Sequence, residues 1–296
     1  MVSSLEASAL LRWRRHQLQI GGRASALDWL LDMAGGLSWQ ALQQLHLHPD
    51  RQVVLVQPLE TLAAIWQRHL SSGEPLQHLV GRCPWRDLEL EVCASALIPR
   101  QETELMVDLA HMLMAEPEER EPSIRWADLG TGSGCLAVAL ARSWPNGEGW
   151  AVDCSPQALE IAARNLQRHG VQQRVQLSQG HWWGALQQVL GTLQLVVSNP
   201  PYIPTAVWQH LETGVRDFEP ALALDGGADG LDAIRSITQG AAEALAPGGV
   251  LLLEHHHDQS KAVQQLLATA GLGQITAHRD LEGVHRFASA RRPWLP

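Results

Sequence analysis

Lysine is almost missing from this chain of 296 residues: Lys261 is the only one among 22 basic side chains, against 31 acidic ones, and the formal net charge is -9. A partner held mainly through phosphate contacts needs a dense basic cluster, so direct nucleic-acid binding is not expected, although a small basic patch is compatible with the composition. Long apolar runs are also missing. Residues 250–253 and 193–197 fall far short of the roughly 20 that a membrane-spanning helix requires, so no membrane role is expected. The start of the chain lacks a basic region followed by an apolar one, and Arg12, Arg14 and Arg15 interrupt the next apolar run, which predicts a cytoplasmic, unprocessed protein. Cysteine is scarce as well. Cys83, Cys93, Cys135 and Cys154 have neither zinc-site nor dithiol spacing, which predicts reduced, mostly buried thiols and no metal.

What is present is ample apolar material, 45% of residues, enough for one large domain and a small one. The first part, 1–81, reads as short amphipathic helices over 4–20, 25–34, 38–47 and 57–70, with Leu27, Leu30 and Leu31 typical of the spacing. Gly21-Gly22, Gly35-Gly36, Pro49 and Ser71-Ser72-Gly73 separate them. Between 82 and 98 partial alternation predicts a hairpin-like linker. From 99 to 296 the pattern becomes alternating strand and helix: strands at 124–129, 149–152, 174–177, 193–197 and 250–253, helices at 135–143, from Ser155-Pro156 to Gly170, at 231–245 and at 259–270, then two strands at 273–278 and 284–289. The helix after Ser155 should bury Leu159, Ala162, Ala163 and Leu166. Repeated units of this kind predict an α/β fold, a Rossmann-like parallel sheet covered on both faces.

Two constellations in the second part carry chemistry. The run Asp128-Leu129-Gly130-Thr131-Gly132-Ser133-Gly134 lies where a strand ends and a helix begins, the place where open α/β sheets bind ligands. Its glycines allow a close approach of backbone to ligand. Cys135 stands where a dinucleotide fingerprint wants Gly or Ala. Asp153, at the end of the next strand, can accept hydrogen bonds from both hydroxyls of a ribose. Together they outline an adenosine-binding crevice, and Asp128 is placed to favour the positive charge and terminal amino group of a sulfonium cofactor, S-adenosyl-L-methionine.

The other constellation is Asn199-Pro200-Pro201-Tyr202, directly after an apolar strand. Two prolines cannot continue a central strand, so the chain must leave the sheet in a stiff loop. The Asn199 side-chain oxygen and the Pro200 carbonyl can accept both hydrogens of one planar nitrogen, and Tyr202 can stack on the flat group. An amide nitrogen is a poor nucleophile, and holding both of its N–H groups favours tetrahedral character and aims it at a methyl donor. Asn199, Pro200 and Tyr202 are therefore the catalytic candidates. His255-His256-His257 invites a metal reading, but consecutive residues on extended backbone face opposite sides and converge poorly on one ion.

Three further stretches narrow the chemistry: residues 73–81 (Gly-Glu-Pro-Leu-Gln-His-Leu-Val-Gly), 97–104 (Leu-Ile-Pro-Arg-Gln-Glu-Thr-Glu) and 218–226 (Phe-Glu-Pro-Ala-Leu-Ala-Leu-Asp-Gly). With the glycine turn and the Asn-Pro-Pro-Tyr loop, the chain resembles the release factor glutamine methyltransferases, the PrmC/HemK family, over nearly its whole length. The resemblance implies a class I methyltransferase sheet and an N-terminal helical bundle that engages the substrate protein. It implies that Gly130, Thr131, Gly132, Ser133, Gly134, Asp153, Trp182 and Asn199 contact S-adenosyl-L-methionine, and that Asn199, Pro200, Pro201 and Tyr202 bind the substrate, the glutamine of a Gly-Gly-Gln motif in class-I peptide chain release factors.

The chain departs from the family pattern in two places. An Asp-Trp-Phe stretch reads His181-Trp182-Trp183 here, and Gln101 replaces a proline while Arg100, Glu102 and Glu104 remain; these three are not assigned a catalytic role, an ion-paired loop lining the site being the other reading. Glutamine methylation of a ribosomal protein, amino-group methylation of adenine in DNA or RNA, and a non-catalytic adaptor are the competing readings; the Asn-Pro-Pro-Tyr loop alone is shared with amino-methylating DNA enzymes.

Overall fold

A computed structural model of the chain describes residues 3–115 and 123–294. The chain divides into two compact units, Met1–Arg82 with Thr213–Phe218, and Cys83–Glu212 with Glu219–Pro296.

In the first unit the apolar spacing yields helices α1 (Ala7–Ile20), α2 (Ala24–Met33), α3 (Trp39–Gln44), α4 (Leu59–Ser72) and α5 (Leu76–Val80). Leu10, Leu27, Leu30, Leu31, Leu62 and Trp66 form a core with no exposed surface. Ser38 caps α3 by accepting a hydrogen bond from the Ala41 amide, and Gly73 ends α4 in the left-handed region at φ 75°. The helix expected from Ser4 starts only at Ala7. Residues Ser3–Glu6 are a strand, β1, paired antiparallel with β2 (Gln52–Leu55), and the Ser4 hydroxyl bonds Gln52 instead of capping a helix. Alternation in β2, with Val53 and Leu55 buried and Val54 exposed, is the sequence signal for this ribbon.

The second unit opens with a hairpin, β3 (Arg82–Trp85) and β4 (Leu88–Glu91), and helix α6 (Leu105–Met114). Strand and helix then alternate: β5 (Arg125–Leu129), α7 (Cys135–Ser143), β6 (Glu148–Asp153), α8 (Pro156–Arg168), β7 (Val175–Gln179) and β8 (Leu193–Ser198). Two short helices follow, α9 (Thr205–Trp208) and, in the first unit, α10 (Thr213–Arg216). The chain ends with α11 (Asp232–Ala244), β9 (Leu245–Glu254), α12 (Ser260–Thr269), β10 (Gly273–Arg279) and β11 (His285–Arg291). Seven strands form one sheet in the order β10-β11-β9-β8-β5-β6-β7; β9, β8, β5, β6 and β7 run parallel and β11 is antiparallel to both its neighbours.

Period-two alternation splits the core between the faces of the sheet. Trp126, Val197 and Leu252 pack with Leu136 and Leu140 of α7, while Leu129, Val196 and Leu251 pack with Ile234 and Ile237 of α11 and Leu267 of α12. Gly149 must be glycine because a Cβ there would lie 2.1 Å from the Trp126 ring.

Two further elements differ from their sequence reading. Strand β9 begins at Leu245 rather than 250, because the chain around Pro247 bulges out of the ladder between the pairs Leu193–Leu245 and Leu195–Val250. The buried face of α8 is centred on Ala158, Ile161, Ala162 and Leu166 and includes Asn165, whereas Leu159 and Ala163 are half-buried. A buried asparagine reads as polar in a periodicity count. Here it is fully satisfied, donating to the carbonyls of Ser133 and Glu91 and accepting from the Glu91 amide.

Candidate active site

The strand order places β5 between β6, which follows it, and β8, which the chain reaches only later. This reversal leaves a crevice at the carboxyl ends of the strands. Three chemically active side chains come together there from adjacent strands: Asp128 near the end of β5, Asn199 just past β8 and Glu254 at the end of β9. The Ser198 hydroxyl donates to the Leu129 carbonyl at 2.6 Å, tying the start of the Asn-Pro-Pro-Tyr loop to the start of the glycine turn.

Glycine is required in that turn. Gly130, Gly132 and Gly134 have φ of 75°, 55° and 81°, in the left-handed region that side chains with a Cβ disfavour. The amides of Gly130 and Thr131 donate to the Val152 carbonyl, that of Gly134 to the Thr131 carbonyl, and that of Gly132 to Asp153 Oδ2. Four of the five amides of the turn are therefore spent inside the protein. A pyrophosphate cradle needs such donors pointing outward.

The cavity beside the turn is lined by Asp128, Asp153, Trp182, Asn199, Arg100 and Leu222 among others. Asp128 has no exposed surface; its Oδ2 accepts from the Thr131 hydroxyl at 2.6 Å, and its Oδ1 has no hydrogen-bond partner. Burial pushes its carboxyl up to about 7, against the lowering effect of the Thr131 hydrogen bond. Both oxygens of Asp153 receive one backbone N–H, from Gly132 and Ser155, at 2.9 Å each. Trp182 has φ 47°, in the left-handed region, and its indole lies over Gly130, 3.4 Å from where a Cβ would be. His181 is exposed on the same wall.

Asn199 is held from behind. Its Nδ2 donates to Thr103 Oγ1 at 2.9 Å, the Thr103 hydroxyl donates to Glu254 Oε2 at 2.7 Å, and the Tyr202 hydroxyl donates to Glu254 Oε1 at 3.0 Å. Thr103 and Glu254 are buried, and burial pushes the Glu254 carboxyl up to about 7 although both hydroxyls lower it. The Tyr202 phenol is raised well above its ordinary range, by burial and then by the neighbouring Glu254. Pro201 lines the cavity, but Pro200 is buried beside it and neither Pro200 nor the Tyr202 ring forms part of the wall. Tyr202 instead packs beside the core on the α11 and α12 face of the sheet, with its ring 6.4 Å from that of His256.

The loops flanking the cavity are clamped by Glu219, which is buried and accepts from the Ile98 amide at 3.0 Å and from Arg100 Nη2 at 2.6 Å. Arg100 is thus paired, and Glu104 is turned away to accept from the Arg86 amide. Ser198 and Glu254 carry no motif of their own, and Thr103, although inside the 97–104 stretch, was not singled out there. The signal for Glu254 was a carboxylate ending an apolar strand next to the loop-bearing one. Among the described residues no three His, Cys, Asp or Glu side chains converge as metal ligands; His255 is buried against the His256 carbonyl and His256 pairs with Asp258.

Residues 104–213 match the model of the methyltransferase small domain. The chain is 50% identical over 287 residues to the release factor glutamine methyltransferase of Prochlorococcus marinus, covering 97% of each chain, and 38% identical to that of Synechocystis sp., covering 95% of each. A crystal structure of a methyltransferase from Pyrococcus furiosus, at 17% identity, superimposes with a TM-score of 0.50 over 70% of this chain and 90% of that one, which bears on the fold alone. On the strength of half identity across nearly the full length of both chains, this protein belongs to the release factor glutamine methyltransferase family.

Proposed function

We propose that the protein transfers a methyl group from S-adenosyl-L-methionine to the side-chain amide nitrogen of the glutamine in the Gly-Gly-Gln motif of class-I peptide chain release factors. The observation that carries this reading is the orientation of Asn199: with Nδ2 committed to Thr103, its Oδ1 is the acceptor left for a substrate N–H at the cavity.

The residues present suit the cofactor. A buried carboxylate oxygen without a partner, Asp128 Oδ1, suits a ligand that brings positive charge and N–H donors. The inward-turned amides of the glycine turn leave little for a dinucleotide's phosphates, and the one arginine on the cavity wall among the described residues, Arg100, is already paired with Glu219. Asp153 retains free lone pairs for ribose hydroxyls, and Trp182 offers an indole face for adenine. When bound, the cofactor supplies a methyl carbon activated by the adjoining sulfonium.

The chain itself positions the nucleophile. Asn199 Oδ1, on the cavity wall, accepts one N–H of the glutamine amide and holds the nitrogen in line, while Pro200, buried beside it, stiffens the loop. No base has to act before attack, because the nitrogen becomes acidic only on methylation. Tyr202 supports the loop through Glu254. The helical first unit is the part we assign to recognition of the substrate protein.

Methyl transfer from labelled S-adenosyl-L-methionine, offered in parallel to an unmodified release factor, to ribosomal proteins and to duplex DNA, tests the assignment. Label should enter the release factor and vanish when the glutamine of its Gly-Gly-Gln motif is replaced by alanine. Preferential label in DNA would overturn it.

A further inference from the structure

A threonine hydroxyl has one hydrogen to give, and in this site that hydrogen decides the direction of a chain of bonds. Thr103 Oγ1 lies 2.7 Å from Glu254 Oε2 and 2.9 Å from Asn199 Nδ2, and Glu254 Oε1 takes the Tyr202 hydroxyl at 3.0 Å. Glu254 is 1% exposed and Thr103 2%, so each depends on the other for its hydrogen bonds. With Glu254 ionised, both hydroxyls donate into the carboxylate, Thr103 accepts from Asn199 Nδ2, and Asn199 Oδ1 is left as the acceptor. With a proton on Glu254 Oε2 the chain reverses. Glu254 donates to Thr103, Thr103 donates toward Asn199, and the amide must turn to offer its oxygen, presenting Nδ2 to the substrate's own N–H groups.

We propose that Glu254 and Thr103 are positioning residues that set the polarity of the Asn199 amide, so that the protein is competent for methyl transfer only when Glu254 is ionised. This rests on the reading of Asn199 Oδ1 as acceptor for the substrate amide.

The groups facing Glu254 are Thr103 and Glu102 from the segment before α6, Tyr202 from the loop, Cys135 at the start of α7 and Arg286 of β11, which is itself paired with Asp280 at 2.6 Å. Arg286 favours ionisation and Glu102 opposes it, while burial is the dominant influence and pushes the carboxyl up to about 7. Asp128 titrates in the same range, but it lies on the cofactor side and bears on cofactor affinity.

The test measures kcat on an intact release factor, at saturating cofactor and substrate across acid to mildly alkaline pH, for the full-length wild type, Glu254→Gln, Thr103→Val and Thr103→Ser. Cofactor affinity is measured calorimetrically alongside. Wild-type kcat should fall about tenfold per pH unit on the acid side of neutrality. In E254Q the carboxamide oxygen takes the Tyr202 hydroxyl and its NH2 faces Thr103, mimicking the protonated state; kcat should drop about 100-fold at every pH, without the acid limb, and with cofactor affinity within about twofold of wild type. T103V should lose turnover and T103S recover most of it.

An E254Q protein that keeps the wild-type profile overturns the inference, as does a T103S variant as poor as T103V. If E254Q does not fold, the threonine pair and the wild-type profile decide, and a flat wild-type kcat through the acid range counts against it. A wild type that methylates no release factor at any pH defeats the acceptor reading itself, and this inference with it.

Discussion

The proposed function gives Asn199 and Asp128 different parts in the site, and their variants should separate. Asn199→Ala removes the substrate acceptor but not the wall beneath the cofactor, so turnover should fall far more than cofactor affinity; equal losses in both, measured by steady-state kinetics and calorimetry, would make Asn199 mainly a cofactor ligand. Asp128 is held above its ordinary value, so the native state binds its proton more tightly than the unfolded chain does. Stability from that group is full at a pH below its unfolded value of 3.8 and declines as pH rises toward about 7, since the native state then holds more protons than the unfolded one. Asp128→Asn, which needs no ionisation, should therefore be more stable than wild type at pH 8, by roughly 4 kcal/mol at most, with the gap closing near pH 4. The same variant should bind the cofactor more weakly. Thermal melts at the two pH values, with and without cofactor, check both signs.

At the scale of elements, the segment Trp182–Leu186 links the cofactor wall to helix α11. The Trp183 indole N–H donates to the Ile237 carbonyl at 2.9 Å, and the ring fills a notch that exists because residue 240 is glycine: a Cβ there would lie 2.2 Å from Trp183 Cδ1. Gly240→Ala gains about 1 kcal/mol of intrinsic helix propensity yet must expel or tilt that ring. It should lower stability and, by moving the neighbouring Trp182, weaken cofactor binding, with a change in tryptophan fluorescence. A variant more stable than wild type with unchanged affinity would show that the notch does not govern Trp182.

Elements of this kind mark the boundary of what the sequence makes legible. The βα units, the Ser155 cap and the glycine turn could be read in advance because caps, breaks and periodicity are local signals. The β1–β2 ribbon could not, because pairing across 48 residues overrides the helical spacing that continues back to Ser4. Thr103 and Glu254 escaped for the same reason, since 151 residues separate the two partners of their hydrogen bond.

For the whole molecule, the legible part was which residues line the crevice, since Asp128, Gly130, Asp153, Asn199 and Pro201 belong to short stretches at strand ends, whereas Pro200 and Tyr202 of the same loop do not reach its wall. The clamp of Glu219 on Ile98 and Arg100, and the support behind Asn199, arise only when three distant segments meet over the sheet. On the proposed function, they make a loop of two prolines and an asparagine rigid enough to aim a weak nucleophile. The net charge of -9 and the single lysine also argue at this scale: methyl transfer to a protein acceptor should be insensitive to competing duplex DNA at moderate salt, whereas inhibition by DNA would reveal a polyanion site that the composition does not foresee.

The most direct measurement is fragment-resolved mass spectrometry of a class-I release factor after incubation with the protein and S-adenosyl-L-methionine. One added methyl on the side-chain amide nitrogen of the glutamine in the Gly-Gly-Gln peptide, absent with N199A, is the predicted result. A methyl on any other residue, or none on the release factor while another acceptor is modified, would contradict the account.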